Sequence, residues 1–95
     1  MLHTLMNSPF QCDFNLLLRM LKAGDELLLL QDGVLAALEG SSALTSLLAA
    51  PVTLYVLQDD VDARGLAAQI SASLTSVSYT EFVALTVKHS QQMTW

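Results

Sequence analysis

The side chains here with the most reactive chemistry are one cysteine, two histidines and a pair of adjacent aspartates. Cys12 is the only credible nucleophile. Near a helix N-terminus its thiolate would be favoured, but the neighbouring Asp13 carboxylate opposes that, and no adjacent Lys or Arg helps. Two readings stand side by side: a persulfide carrier, or a quiet surface or half-buried thiol, which the local charge favours. Asp59 and Asp60 follow a run of strand-forming residues and could hold a divalent cation. No further carboxylates lie at ligand spacing, so capping of the next helix is the better reading. His3 could carry a proton or bind a ligand, but no second histidine is near it in sequence. The plainer reading is a buried or edge histidine bonded to backbone. A lone cysteine excludes an internal disulfide and any multi-cysteine metal site. There is no G-x-G-x-x-G, P-loop, G-x-S-x-G or C-x-x-C pattern. The residues therefore give no catalytic constellation, no metal site and no cofactor site.

The elements that must position these groups centre on Asp25-Glu26-Leu27-Leu28-Leu29-Leu30-Gln31-Asp32-Gly33. Four consecutive leucines between polar borders are too few for a helix and do not alternate. That predicts a strand covered on both faces, at the centre of a parallel sheet. Gly33 is expected to permit a sharp turn out of the sheet, with Asp32 bonding nearby backbone amides. Function in open α/β sheets gathers at the carboxyl ends of strands, so Gln31, Asp32 and Gly33 are candidate contact residues.

Around this centre, Met1–Leu5 reads as a first strand. Ser8-Pro9-Phe10-Gln11 offers a capping box with proline at the first helical position, and Asp13 is an alternative cap. Phe14, Leu17, Leu18 and Leu21 fall on one helical face. Leu16 and Met20 add a second apolar row, which suggests contact with something beyond the sheet. Gly24 is expected to end this helix, with Arg19 and Lys22 in its last turns. Val34–Leu38 reads as a short helical segment broken by Gly40. Ser41 or Ser42 then caps a piece with Leu44, Leu47 and Leu48 on one side, stopped by Pro51. Val52–Leu57 is the clearest strand, and a helical turn through Arg64 closes at Gly65. A small apolar segment, 65–70, lies against the sheet. Thr75-Ser76-Val77 is a short strand, and Ser78-x-x-Glu81 a capping box opening a helix from about Tyr79 to His89. Phe82, Leu85, Val83 and Val87 are expected to pack inward. The terminal Trp95 should dock on its own chain or on a partner. The order predicts one domain over residues 1–95: a three-layer α/β/α fold with a mainly parallel sheet of four to five strands.

Composition bounds the partners. The chain is 53 % hydrophobic and only 14 % charged, with a formal charge of −5. Typical domains are about 45–50 % apolar and about 25 % charged. A chain this short buries only roughly 60–65 % of its unfolded surface. Partner chains are the expected cover for the excess, because large bare apolar patches are rare on soluble monomers. No apolar run approaches a membrane span, and the N-terminus lacks the basic region of a signal peptide. Arg19, Lys22, Arg64 and Lys88 are scattered, which argues against direct nucleic-acid binding. These features predict a cytosolic subunit of an oligomer.

Several stretches together carry a resemblance. Leu2–Leu5, Asn7–Phe10, Gly24–Val34, Ala63–Leu66, Tyr79–Val83, Leu85–His89 and Gln92-Met93 through Trp95 resemble the DsrH/TusB family in order and spacing, nearly end to end. The resemblance implies a DsrE-like fold. In the Tus branch of the family, it implies assembly with paralogous C and D subunits into a heterohexamer, a dimer of trimers. That complex takes persulfide sulfur from the carrier TusA and, with TusE, passes it to the enzyme that thiolates the wobble uridine of certain tRNAs, in 5-methylaminomethyl-2-thiouridine synthesis. The carrier cysteine lies on the D subunit. DsrH relatives from sulfur-oxidising bacteria carry a cysteine further past the Ser-Pro pair than Cys12, in a region that here holds Leu17 and Leu18. The resemblance therefore does not assign that role to Cys12. The leading expectation is a non-catalytic structural subunit whose contact candidates are Leu16, Met20, Gln31, Asp32, Gly33 and Trp95. The alternatives are a sulfurtransferase subunit with a persulfide on Cys12, and a homo-oligomeric small-ligand binder at the strand ends.

Overall fold

The structure, a computed structural model, describes residues 1–95. Its strands are β1 (Leu2–Leu5), β2 (Glu26–Leu29), β3 (Thr53–Leu57), β4 (Thr75–Val77) and β5 (Gln92–Thr94). Helices α1 (Phe14–Met20), α2 (Ser42–Leu48), α3 (Gln58–Ala63) and α4 (Tyr79–Lys88) intervene, with a 3-10 helix over Gln31–Ala37. The sheet order is β4-β3-β2-β1-β5 and every pairing is parallel. All four residues of β2 are buried, as an unalternating leucine run covered on both faces requires.

The winding explains the layers. From β1 to β4 the chain steps in one direction, and α1, the 3-10 helix, α2 and α3 supply one core with Leu5, Leu27, Leu29, Leu54 and Val56. It then reverses and crosses the whole sheet to β5. A right-handed crossover made in the opposite direction must lie on the opposite face. There Leu85 and Phe82 of α4 meet Leu2, Leu28, Leu30, Leu57 and Val77. Four helical segments thus cover one face and a single ten-residue helix the other.

Several local expectations change. Asp13, not Ser8, caps α1, its carboxylate accepting the Leu16 N–H at 3.0 Å. Ser8 is buried and bonds the Phe10 N–H instead. The helix ends at Met20 rather than Gly24. Leu21 turns extended, and the Asp25 carboxylate captures the Lys22 N–H at 3.0 Å. Ser41 is the cap of α2; Leu44 and Leu47 are buried but Leu48 is exposed. Asp59 and Asp60 do not cap α3; they sit inside its first turn, where the positive end of the dipole favours them. The Ser78–Glu81 capping box forms in both directions. Val83 and Val87 do not pack inward: with Tyr79 they form an exposed i, i+4, i+8 row on α4.

Gly33 also has a different role from the one expected. The left-handed residue at this turn is Gln31, with φ 52°. Gly33 is buried, and a Cβ on it would lie 1.9 Å from the Leu5 carbonyl oxygen. It allows the 3-10 helix to pass directly over the end of β1.

Candidate functional site

The carboxyl ends of the strands open on a cavity of about 480 Å³ on the α4 side. Its floor is Met6, Leu30, Leu57 and Phe82; Gln31, Asp59, Asp60 and Tyr79 stand at its rim, and Thr4, Gln92 and Thr94 close the β5 side. The rim is held in place by its own bonds. Asp60 Oδ2 accepts the Gln31 N–H at 2.5 Å, which fixes the left-handed turn. Tyr79 and Phe82 meet edge to face, with centroids 5.9 Å apart.

The cavity carries two carboxylates and a phenol at its rim over an apolar floor. No cysteine, histidine or lysine lines it. At the α4 N-terminus the capping box engages two backbone N–H groups, that of Ser78 by the Glu81 carboxylate and that of Glu81 by the Ser78 hydroxyl, and Asp59 and Asp60 add negative charge at the same rim, which disfavours an anion. Asp32 bonds no backbone amide, contrary to expectation. Its Oδ1 accepts from Arg64 Nη2 at 3.0 Å and Nε at 3.3 Å.

Cys12 lies elsewhere, half-buried against the α1 side of the core. Burial, and then the Asp13 carboxylate, push its thiol up. A raised thiol is a poor nucleophile at neutral pH. Alkylation of Cys12 by iodoacetamide at pH 7 is therefore expected to be slower than that of free cysteine. A rate equal to or above that of the free amino acid would contradict this environment.

The other contact candidates scatter. Leu16 is exposed and Met20 half-buried on α1. Gln31 and Asp32 are exposed at the cavity end, whereas Gly33 is interior. Trp95 folds back on its own chain and packs on the α1-side core. Its backbone pairs with β1 on both sides, through Trp95 N–H to Thr4 O at 2.8 Å and Met6 N–H to Trp95 O at 3.0 Å.

Two polar networks at the opposite, amino ends of the strands escape sequence reasoning. Asp25 and Glu26 are adjacent, so their side chains point to opposite faces. On the α1 face, Asp25 accepts from the Met1 amine at 3.0 Å, the Lys22 N–H at 3.0 Å and His3 Nε2 at 3.1 Å. Burial alone would raise its pKa, but these donors outweigh that and hold it below the usual carboxylate range. His3 is fully buried and bonds side chains rather than backbone: Trp95 Nε1–H donates to its Nδ1 at 3.2 Å.

On the α4 face, Glu26 accepts from Lys88 Nζ at 2.8 Å, His89 Nε2 at 2.6 Å and the Tyr55 hydroxyl at 2.5 Å. Burial opposes its charge, yet Lys88, Tyr55 and His89 together bring its pKa down to about 2. The same carboxylate, with burial, pushes the Tyr55 phenol up to about 12. Lys88 and His89 thus serve a buried carboxylate as well as the helix dipole. The available signal was two carboxylates at the threshold of a fully buried strand in a chain with only four basic residues. No group of three or more His, Cys, Asp or Glu side chains gathers in a metal-binding arrangement.

A parallel five-stranded sheet in this order, with helices on both faces, is a small α/β fold of the DsrE-like kind. The backbone superimposes on the solution structure of Tm0979 from Thermotoga maritima with a TM-score of 0.68, 29 % identity, and 96 % and 97 % of the two chains covered. It matches the crystal structure of the ychN protein from E. coli with a TM-score of 0.76, 18 % identity, and 99 % and 97 % covered. Residues 7–92 match the family described as DsrH like protein. The chain belongs to the DsrH family. Curated relatives called Protein TusB are 61 % identical in Erwinia tasmaniensis and 60 % identical in Klebsiella pneumoniae, each over the full length of both chains.

Proposed function

We propose that this chain is a non-catalytic structural subunit of a cytoplasmic sulfur-relay complex. In this reading it assembles with paralogous C and D subunits as a dimer of trimers. The complex supports 2-thiolation of the tRNA wobble uridine and draws sulfur indirectly through TusA and TusE, with no direct nucleic-acid contact by this chain. The observation that carries the reading is membership of the DsrH family at about 60 % identity to Protein TusB. The state of the cysteine supports the non-catalytic part. The Cys12 thiol is pushed up, and Leu17, in the region where some relatives place their cysteine, is fully buried core. The thinly covered sheet face and the exposed Tyr79–Val83–Val87 row are consistent with burial by partner subunits. No helix is long and apolar enough to cross a membrane.

Native mass spectrometry of this chain co-expressed with C and D paralogues is expected to show one complex with equal copies of the three chains. A chain that ignores both paralogues overturns the assignment. Cys12→Ser is expected to leave cellular 2-thiouridine unchanged, measured by nucleoside mass spectrometry; its loss would establish the sulfurtransferase reading instead. Replacing Leu16 and Met20 by polar residues is expected to weaken the complex while the isolated chain stays folded. An intact complex would remove that helix face from the contact surface.

A further inference from the structure

The two ends of the chain meet at one buried imidazole, and the donors and acceptors around it determine its protonation state. An indole N–H can only donate, so His3 Nδ1 must accept from Trp95. An ionised carboxylate can only accept, so His3 Nε2 must carry the hydrogen it gives to Asp25. The arrangement is satisfied by one state alone, the neutral Nε2–H tautomer.

The ring centroids are 6.3 Å apart with planes inclined by 28°, and the joining nitrogens are 3.2 Å apart. That separation fits contact through ring edges. It does not place the imidazole over the indole face, where a cation would be attracted.

We propose that His3 is a proton-gated latch for the C-terminal tryptophan. With the imidazole neutral, Nδ1 holds the Trp95 indole. A solvent proton taken up on the Nδ1 lone pair removes the acceptor, sets two N–H groups against each other and frees the indole. The surroundings bias the latch in both directions. The Asp25 carboxylate at the head of β2 faces the ring and favours the cation. The Met1 amine, 3.0 Å from Asp25 Oδ1, partly cancels that charge. The segment after α1 contributes the Lys22 N–H to the same carboxylate, while the Lys22 side chain is exposed. Trp95, the residue after β5, contributes the indole. Glu26, Lys88 and His89 lie on the other face of the sheet. The backbone bonds of Trp95 to Thr4 and Met6 do not involve His3, so the strand stays paired while the side chain departs. Trp95 then passes from a contact within its own chain to one available to solvent or a partner.

The chain has a single tryptophan and two histidines, which makes the test direct. In the full-length chain, Trp95 emission is expected to shift to the red as the pH is lowered while the chain stays folded, histidine being the side chain that ordinarily changes charge short of acid unfolding. The His3 ring nitrogens, followed by ¹⁵N NMR, should convert from the Nε2–H tautomer to imidazolium together with the emission change. His3→Asn, which offers an acceptor near the Nδ1 position but takes up no proton, should abolish the shift. His89→Gln should keep it. In Trp95→Phe, His3 should take up its proton at a higher pH than in the wild type. Three results overturn the latch: imidazolium formation with unchanged emission, a neutral His3 down to the pH of unfolding, or Trp95→Phe leaving the His3 titration where it was. The wild-type and Trp95→Phe measurements decide the matter even where His3→Asn does not fold.

Discussion

Gly33→Ala is expected to cost more than about 4 kcal/mol, or to leave no folded chain, the range reserved for core overlaps with nowhere to relax. The new methyl would lie 1.9 Å from the Leu5 oxygen and 2.7 Å from the Leu5 carbonyl carbon, which is backbone and not a yielding side-chain tip. That oxygen already accepts the Leu30 N–H at 3.0 Å, so withdrawing it would break the bond that starts the turn. Gly40→Ala is the control. Gly40 has φ +82° with nothing within 4 Å of an added Cβ, so only the left-handed backbone is penalised, at about 1–2 kcal/mol. Urea unfolding of both variants tests the difference. Equal, small losses would mean that the 3-10 helix does not ride on β1 as described.

Glu26→Gln is expected to destabilise the chain by about 3 kcal/mol at pH 7, because it withdraws the negative partner from buried donors. The exposed stem of Lys88 lets that cation escape to water, which keeps the cost from rising further. The wild type should show the same energy as a pH dependence. Glu26 titrates at about 2 in the folded chain against an ordinary 4.5. A carboxylate lowered by folding stabilises fully above its unfolded pKa, and that contribution is lost as the pH falls through its folded one. Stability should therefore decline between about pH 4.5 and pH 2 by about 3 kcal/mol from this group. Asp25 is lowered too and adds to the decline in the same direction. Denaturant melts at pH 7, 4 and 2.5 on wild type and Glu26→Gln provide the check; parallel slopes would mean that Glu26 is not held as described.

The strands were legible because their signal is local. Four leucines without alternation can hardly be anything but a doubly covered strand, and Val52–Leu57 carries β-branched and aromatic residues in a row. The Ser78–Glu81 box was legible for the same reason, since both partners lie within one turn. What remained hidden depends on distant partners. Helix α1 stops short of Gly24 because a carboxylate beyond the turn, on Asp25, recruits the Lys22 amide. Gly33 serves a contact with a residue 28 positions earlier, which no periodicity encodes. The inward placement expected of Val83 and Val87 failed because β-branched residues on a helix look like core whichever way they face. At the candidate site, the positions of Gln31 and Asp32 at the strand ends followed from the fold class. The joining of His3 to Trp95, and of Glu26 to Tyr55, Lys88 and His89, did not.

The place of β5 in the sheet has a consequence for how the chain is made. Its register pairs Leu2 with Gln92 and Thr4 with Thr94, so the first strand synthesised waits for the last. While translation proceeds, β1 can already pair with β2 along one side, but its other side stays an open row of backbone donors and acceptors. Such an edge is a template for unwanted pairing until it is covered. Closing it joins residues about 90 positions apart, the costliest kind of contact to form early in folding. A chain cut short before Gln92 would therefore have its hydrophobic strands assembled and one side of β1 unsealed. Pairing of Gln92–Thr94 with β1 is the step that removes this open edge.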